Sequence, residues 1–326
     1  MKAVLVTGAN GLLATHTVLE LLRAGYRVRA LVRNRSKFTL AGHPSMEIVE
    51  GDITDLAAMQ RVVAGCQYVV HAAAETRQGL TDYAAYERVN VQGTKNVVEA
   101  AAEAGVLRVV HVSTCNVFGF GTAHQPGNEA KPPARPFSDS GYVKSKLEAQ
   151  QVAFSYSDRT EVVAVNPTFI LGAYDQKPSS GRIILMGYRK RVLFYPPGGK
   201  NFVYARDAAQ AMVNALAHGN SGEAYILAGE NLSYKEFFQK LNAQAGQTPI
   251  LIGLPKAVLI AVGRVGNLLK RLGLNTETTL TNMRILCLKN YYSHSKAKEA
   301  LEVEFQGVDG AIQEAVHWFR QHGYLK

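Results

Sequence analysis

In the first 170 residues, short valine-rich apolar runs alternate with longer segments whose apolar residues recur every three or four positions. The first pattern predicts buried β-strands and the second predicts amphipathic helices. The predicted strands span residues 3–7, 27–32, 47–49, 68–72, 108–113 and 161–166. The predicted helices span residues 12–24, 55–64, 83–104 and 142–155. This alternation predicts an α/β fold, with right-handed βαβ units forming a doubly wound parallel sheet that helices cover on both faces.

The pattern changes after Pro167. The later predicted elements are a loop at 169–181, a helix at 182–190, a strand running into a helix at 202–218, a strand at 224–229 and a helix at 233–244. Only helical patterns remain beyond Pro255. We therefore predict a sheet domain over 1–170 and a smaller, mostly helical C-terminal lobe over 171–326.

Two further features refine this division. The strands near 202–207 and 224–228 are expected to return to the sheet of the first domain. The segment 119–141 is rich in glycine and proline and has no period, which predicts a loop over the sheet edge. Loops of this kind often shape a binding site.

The composition is that of an ordinary globular protein, with 47% hydrophobic and 19% charged residues. The sequence passes from Met1 directly into the first strand, without a separate signal region. It contains no uninterrupted apolar stretch of the length a membrane span needs. Its three cysteines, Cys66, Cys115 and Cys287, are scattered, which favours a reducing compartment and no structural zinc. We expect a cytoplasmic protein.

The net charge of +10 raises the question of nucleic-acid binding. Six arginines and lysines lie between Glu20 and Glu47 with no acidic residue among them, and a second basic excess runs from Lys256 to Lys298. Neither stretch has the interleaved aromatic residues of a single-strand binder or a known nucleic-acid motif. We therefore expect no nucleic-acid partner.

The glycine-rich stretch VTGANGLLATH, residues 6–16, follows the first strand and opens the first helix. Gly8 and Gly11 are spaced as in a dinucleotide phosphate loop, and Ala14 stands where a third glycine often lies. Such a loop needs a tight turn and backbone amides at a helix N-terminus that point at a pyrophosphate. Its position at the first strand-to-helix junction predicts a Rossmann-type cofactor site.

The end of the second strand decides which dinucleotide is expected. NAD-binding loops carry an acidic residue there for the ribose diol, whereas this chain offers Arg33, Arg35 and Lys37. Arginine matches a phosphate dianion with a planar fork of donors. NADP is therefore favoured over NAD.

A candidate proton-transfer pair lies in the stretch SDSGYVKSK, residues 138–146. Tyr142 and Lys146 are one helical turn apart and share a helix face. A cation at that distance favours the phenolate, so Lys146 is expected to lower the pKa of Tyr142. The same spacing also occurs on ordinary solvated helices, so its meaning depends on the other motifs of the chain.

Those motifs occur in a specific order along nearly the whole chain. The glycine loop is followed by GDITD at 51–55, HAAA at 71–74, VNVQGTKNV at 89–97, VST at 112–114 and the Tyr142–Lys146 pair. With this set the chain resembles the extended short-chain dehydrogenase/reductases. After the sixth strand it reads AVNPTFILGAYD, which is similar to the dihydroflavonol 4-reductase and 3β-hydroxysteroid dehydrogenase branch. Nucleotide-sugar epimerases commonly read RYFNVYGP there.

The resemblance implies a role for each matching residue. Tyr142 would be the acid/base, Lys146 would lower its pKa and bind the nicotinamide ribose, and Thr114, with Ser113 beside it, would be the hydroxyl partner. Asp52 and Ile53 would flank the adenine, and Asn90 would brace the active-site strand. The complete set implied to touch the cofactor is Thr7, Gly8, Asn10, Gly11, Leu12, Leu13, Arg33, Lys37, Asp52, Ile53, Ala72, Ala73, Ala74, Asn90, Val112, Ser113, Tyr142, Lys146, Pro167, Thr168 and Ile170.

The leading hypothesis is an NADP(H)-dependent reductase or dehydrogenase that acts on a carbonyl or secondary alcohol of a moderately apolar small molecule. A nucleotide-sugar epimerase or dehydratase with tightly bound NAD(P) is one alternative, and a non-catalytic, dinucleotide-binding redox sensor is another. His71 and His111 lie inside apolar strands and are expected to be core residues. No metal site is expected, because no paired histidine and carboxylate spacing occurs.

The last candidate feature is a helix predicted over 255–272. Its basic residues fall on one arc and its valines and leucines on the opposite side. We expect the apolar side to cover the core or the substrate pocket, so that Leu268→Glu would lower the melting temperature. Peripheral contact with an anionic membrane is the alternative. The sequence does not separate a monomer from a homodimer.

Overall fold

The computed structural model describes residues 2–40, 42–77, 80, 82–272, 274, 276 and 278–325. Its strands are β1 (Ala3–Thr7), β2 (Arg27–Val32), β3 (Met46–Glu50), β4 (Tyr68–His71), β5 (Arg108–Val112), β6 (Glu161–Pro167), β7 (Phe169–Leu171), β8 (Val192–Tyr195), β9 (Gly199–Tyr204), β10 (Ala224–Leu227), β11 (Glu230–Ser233), β12 (Ile250–Gly253) and β13 (Lys289–Asn290). Its α-helices are α1 (Leu12–Arg23), α2 (Leu56–Val63), α3 (Tyr83–Tyr86), α4 (Gly93–Glu103), α5 (Gly141–Phe154), α6 (Arg182–Gly187), α7 (Ala205–Asn214), α8 (Tyr234–Gln244), α9 (Lys256–Arg271), α10 (Leu280–Leu286), α11 (Ser295–Ala300) and α12 (Val308–Gln321). A π-helical segment, Glu87–Gln92, joins α3 to α4.

Seven strands form the main sheet in the order β10-β6-β5-β4-β1-β2-β3, and every neighbouring pair is parallel. The valine runs read as strands are buried here on both faces, as a parallel sheet requires. Helices α1 and α7 pack together on one face, while α2, α4 and α5 cover the other. The predicted doubly wound sheet is confirmed, and its strand order reverses between β1 and β4.

A second sheet organises the C-terminal lobe around β9, which pairs with β7, β11 and β13. Phe202 of β9 stacks on Phe237 of α8 with ring centroids 4.5 Å apart, at the centre of a core shared with α6 and α12. The short strands β8 and β12 form a separate parallel pair. Three elements of the lobe, α6, α8 and α12, are therefore held to strands that do not belong to the main sheet.

Several predictions for this half were wrong. The strand near 202–207 ends at Tyr204 and belongs to the second sheet, because its phenylalanine is needed in the core of the lobe. The strand near 224–228 does return, as β10 beside β6. The predicted loop at 169–181 begins with β7, and the region after Pro255 contains β13. The predicted domain boundary between 170 and 171 falls within β7, so that division stays a prediction.

The segment 119–141 is a loop up to the start of α5, with one short 3-10 turn at Phe137–Asp139. It is joined to the C-terminal lobe by bridges from Gly121 to Tyr291 and from Gly127 to Tyr292. Within the described part of the chain, no helix is both long enough and apolar enough to cross a membrane.

Candidate cofactor and catalytic site

The carboxyl ends of β1, β4, β5 and β6 meet at one edge of the main sheet, next to the point where the strand order reverses. Crevices at this place are where ligands bind in open parallel sheets. The glycine loop follows β1, the alanines at 72–74 follow β4, Ser113 and Thr114 follow β5, and Thr168 follows β6. The predicted residues of these loops therefore lie along one edge.

The glycine loop has the shape expected of a phosphate site. Gly8 has a φ of +66°, and a Cβ atom there would lie 2.8 Å from the Cα of Ala73. Glycine is therefore required on both grounds. The N-terminus of α1 begins after Gly11 and has no side-chain cap among the described residues. Its first amides, from Leu12 and Leu13, are available to an anion, so the loop fits the diphosphate of a dinucleotide.

At the expected adenine end, Asp52 accepts hydrogen bonds from the amide and the hydroxyl of Thr54, both at 2.9 Å. Ile53 is buried and packs directly over Gly93, where a Cβ atom would lie 2.6 Å from its Cδ1. Asn96 also donates to the Ile53 carbonyl at 2.9 Å. These contacts hold Ile53 in place, and Asp52 is not a helix cap, because Asp55 caps α2.

The basic residues expected to choose between NADP and NAD, Arg33 and Lys37, lie exposed on the loop after β2. The Glu50 carboxylate accepts a hydrogen bond of 2.6 Å from the backbone amide of Arg35 in the same loop. Positive side chains and one carboxylate thus share this rim.

Beneath the glycine loop, a buried chain of hydrogen bonds runs across the sheet. Thr7 Oγ1 lies 2.8 Å from His71 Nδ1, and His71 Nε2 lies 3.0 Å from Thr94 Oγ1. Thr94 donates to the carbonyl of Asn90, so it accepts from His71, and Thr7 donates to the other ring nitrogen. Burial lowers the pKa of His71 to about 3, which agrees with this neutral tautomer. The prediction that His71 and His111 are core residues is confirmed.

Asn90 lies in the π-helical segment and braces the site differently from the expectation. Its Oδ1 accepts from the amide of Glu75 at 2.7 Å, and its Nδ2 donates to the Ser145 hydroxyl at 2.9 Å. Ser145 in turn donates to the Tyr142 carbonyl at 2.8 Å. Asn90 therefore ties the segment after β4 to helix α5, and not to strand β5. The sequence around Asn90 did not predict this contact with α5, because the contact depends on the π-helical turn.

Tyr142 and Lys146 both lie on α5, one turn apart, as predicted. Lys146 is almost completely buried and donates from Nζ to the Val112 carbonyl at 2.6 Å. Burial lowers the pKa of Lys146 to about 7. Burial raises the pKa of Tyr142, and only a hydrogen bond with the Thr114 side chain opposes this shift. The expected lowering by Lys146 was wrong for this structure, because the lysine is itself desolvated and turned toward β5.

Thr114, and not Ser113, meets the tyrosine. The Ser113 hydroxyl is buried and has no hydrogen-bond partner among the described residues. The backbone of Thr114 is fixed from below by Asn166, whose Nδ2 donates to the Thr114 carbonyl at 3.0 Å and to Gln150 Oε1 at 2.9 Å. Asn166 therefore positions the hydroxyl residue. The sequence shows only an asparagine at the end of β6 and does not predict its contact with Thr114.

A cavity of about 60 Å³ opens beside Thr114. Its lining residues are Thr114, Cys115, Asn116, Thr168, Phe169, Lys200, Asn201, Asn290 and Tyr292. The Lys200 amino group lies 4.5 Å from the Phe169 ring centroid, and burial lowers its pKa. The Asn290 Oδ1 is buried without a partner in the described part of the chain. Sequence reasoning missed Lys200 and Asn290, since both reach the site from distant segments.

The other residues expected at the nicotinamide end have contacts within the protein. Pro167 is buried at the end of β6. Thr168 donates to Asn201 Oδ1 at 2.6 Å, and Ile170 pairs with Val203 in the second sheet. Tyr142 itself borders an apolar cluster that contains Phe118, Phe120, Phe137, Ile285 and Leu288. The tyrosine thus borders an apolar wall, while Thr114 beside it lines the polar cavity.

Residues 4–228 match the NAD dependent epimerase/dehydratase family. A Synechocystis sp. protein provisionally named dihydroflavonol 4-reductase is 30% identical over 331 residues, covering 98% of this chain and 95% of that protein. A 3-beta-hydroxysteroid dehydrogenase of Mycolicibacterium neoaurum is 31% identical over 239 residues, covering 70% of this chain and 61% of that protein. The crystal structure of gox2253 is similar with a TM-score of 0.86 at 30% identity, over the full length of both chains. The chain therefore belongs to the NAD dependent epimerase/dehydratase family of extended short-chain dehydrogenase/reductases, on the dihydroflavonol 4-reductase and 3β-hydroxysteroid dehydrogenase branch.

Proposed function

We propose that the protein is an NADP(H)-dependent oxidoreductase that interconverts a carbonyl and a secondary alcohol on a moderately apolar small molecule. The observation that carries this proposal is the position of Tyr142, beside the Thr114 side chain, one turn from Lys146 and next to an apolar wall. A tyrosine held in this way can exchange a proton with a substrate oxygen.

The residues of the glycine loop, with Asp52, Ile53 and the alanines at 72–74, would hold the dinucleotide. A bound nicotinamide supplies or accepts the hydride. Because burial raises the pKa of Tyr142, its phenol is protonated at neutral pH and suits donation to a carbonyl oxygen. Thr114 would give a second hydrogen bond to the same oxygen as negative charge develops. Lys146 would serve the nicotinamide ribose, as the family resemblance implies.

The preference for NADP is supported by the exposed Arg33 and Lys37 at the rim of the predicted adenosine site. A 2′-phosphate could be bound there by a guanidinium fork without breaking a buried contact. The Glu50 carboxylate nearby would oppose that phosphate. The balance between these charges would set the ratio of the affinities for NADP and NAD.

The substrate is expected to span two environments. Phe118, Phe120, Ile285 and Leu288 would take its apolar body, while the cavity beside Thr114 would take a polar end. Lys200 is the cation of that cavity and suits an oxygen acceptor. The name of the Mycolicibacterium neoaurum relative, a hydroxysteroid dehydrogenase, supports a largely apolar substrate with a ring or chain hydroxyl.

A nucleotide-sugar epimerase or dehydratase is the second candidate, because the matching family includes both activities. The same tyrosine and lysine would then act on a sugar hydroxyl, with the hydride returned to the substrate. Such an enzyme would be purified with tightly bound dinucleotide and would be stabilised by a nucleoside-diphosphate sugar.

The direct test is a panel of ketones, aldehydes and nucleotide sugars. Each compound is first screened by thermal shift with NADPH present, and each hit is then assayed for NADPH oxidation. We expect apolar carbonyl compounds to raise the melting temperature and to be reduced. Stabilisation by nucleotide sugars alone, with no net NADPH oxidation, would contradict the proposal and favour the epimerase.

A further inference from the structure

The apolar side of helix α9 faces outward, whereas the sequence predicted that it would face the core or the substrate pocket. It packs on α10, and its buried residues are Leu259, Gly263 and Gly266. An added Cβ atom at Gly263 would collide with Leu280 of α10, and one at Gly266 would collide with Thr278 just before it. Most of the valines and leucines expected to cover the core are exposed instead, and only Leu269 is half-buried. The exposed ones are Val258, Val262, Val265, Leu268 and Leu272. Leu259 and the two glycines thus face the protein, whereas these five large apolar residues face outward.

The strand pair whose second strand precedes α9 in the chain also carries exposed apolar side chains. Strand β12 leads into α9 through Leu254 and Pro255, and it pairs with β8 so that Ile250 is opposite Val192 and Ile252 is opposite Phe194. All four of these side chains are exposed, while Leu193 and Leu251 between them turn to the core of the lobe. Two adjoining elements therefore present large apolar side chains to the outside, which is unusual for a soluble surface.

The segments that form this surface carry charges of one sign only. The sequence has no aspartate or glutamate from residue 176 to 206 or from residue 237 to 276. Basic side chains border the apolar residues at both ends, from Arg189, Lys190 and Arg191 before β8 to Lys256, Arg264, Lys270 and Arg271 on α9. We name the surface formed by β8, β12 and the outer side of α9 the lobe face.

We propose that the lobe face binds the surface of an anionic lipid bilayer, with α9 lying in the plane of the headgroups. Exposed apolar side chains would enter the acyl boundary, while the arginines and lysines would meet lipid phosphates. A second copy of this chain fits less well, because self-pairing would bring two acid-free basic surfaces together. A bilayer supplies both the apolar layer and the complementary charge.

This position has a consequence for the site, which rests on the proposed function. Helix α10 lies beneath α9, and Ile285 of α10 packs in the apolar cluster that borders Tyr142. Docking of the lobe face would bring the apolar wall of the substrate site close to the membrane. A substrate dissolved in the bilayer would then reach Tyr142 without crossing open water.

The test uses the full chain without cofactor or substrate, so its outcome does not depend on the enzymatic proposal. Co-sedimentation is measured with vesicles of phosphatidylcholine alone and of phosphatidylcholine mixed with phosphatidylglycerol, at low and at high ionic strength. We expect binding to the mixed vesicles only, weakened by salt. In Leu268→Glu the partition coefficient should fall at least about tenfold, since a leucine that would enter the acyl boundary is exchanged for an anion.

The matched control is Leu107→Glu, because Leu107 is 56% exposed and Leu268 is 57% exposed. Leu107 precedes β5 at the opposite, amino-terminal edge of the main sheet, and its variant should bind vesicles as the wild type does. The melting temperature of Leu268→Glu should equal that of the wild type. Absence of vesicle binding by the wild type would overturn the proposal. A dimer that Leu268→Glu dissociates, with no vesicle binding, would overturn it in favour of a second copy. A lowered melting temperature of Leu268→Glu would also overturn it, by showing that Leu268 packs against the protein.

Discussion

Lys146 donates from its amino group to the carbonyl oxygen of Val112 at 2.6 Å, and this bond ties the middle of α5 to the end of β5. The lysine is buried, and burial lowers its pKa to about 7. In the protein without its dinucleotide, Lys146 is therefore only partly charged at neutral pH. A nicotinamide ribose that gave the amino group further acceptors would favour its charged form.

This shift predicts a pH-dependent stability. The pKa of Lys146 is about 7 when folded and about 10.4 when unfolded, so the unfolded chain binds more protons between these values. Stability must then rise with pH across that window, by up to about 1.4 kcal/mol per pH unit, and the contribution is lost as the pH falls toward 7. In Lys146→Met the free energy of unfolding by urea should lack this dependence on pH between about pH 7 and pH 9.

Lys144→Met is the control, because Lys144 is exposed on the same helix. Its unfolding free energy should follow the wild-type pH dependence. Equal slopes for the wild type and for Lys146→Met would mean that Lys146 is as solvated in the folded protein as in the unfolded chain.

The cofactor preference can be measured at Arg33. Arg33→Ala should weaken NADPH binding by roughly 1–3 kcal/mol, the usual scale of charge-assisted hydrogen bonds, and leave NADH binding nearly unchanged. Titration of both dinucleotides by fluorescence gives the two dissociation constants. Arg320→Ala removes the same charge from the exposed side of α12 and should change neither. Equal losses for NADPH and NADH would show that Arg33 does not contact the 2′-phosphate.

The role of the cavity in binding the polar end of the substrate can be tested at Lys200. Lys200→Met keeps the apolar stem over Phe169 and removes the cation from the cavity beside Thr114. The KM of a carbonyl substrate with a second oxygen function should rise about tenfold or more, while NADPH affinity stays the same. Lys235→Met, on the exposed side of α8, is the matched control. An unchanged KM would place the substrate outside this cavity.

The main sheet could be predicted because short, continuous stretches of sequence mark its strands. Its first six strands are apolar runs, and β1, β3, β4 and β5 are each followed by a helix before the next strand. Gly8 marks the first turn by a backbone shape that only glycine adopts easily. The second sheet could not be predicted. Strands β7, β11 and β13 have two to four residues each and gain their partners from distant segments, so no period marks them.

The same division applies to the site. Tyr142 and Lys146 could be placed on one face of a helix, because their spacing alone sets that geometry. The direction of the Tyr142 pKa could not be predicted, since burial and the turn of Lys146 toward Val112 decide it. Helix α9 shows the limit for surfaces: its amphipathic pattern was evident, but Gly263 and Gly266 decide which side meets α10.

The central claim is that Tyr142 transfers the proton, and Tyr142→Phe tests it most directly. In a single-turnover measurement of NADPH oxidation, with the best carbonyl substrate of the panel, the rate should fall by about 100- to 10,000-fold, the usual contribution of general acid catalysis. NADPH affinity should stay within a few-fold of the wild type, because the phenol is not among the groups that hold the phosphates. Tyr324→Phe, at the exposed C-terminal end, should retain the full rate. A Tyr142→Phe rate equal to that of the wild type would contradict the account.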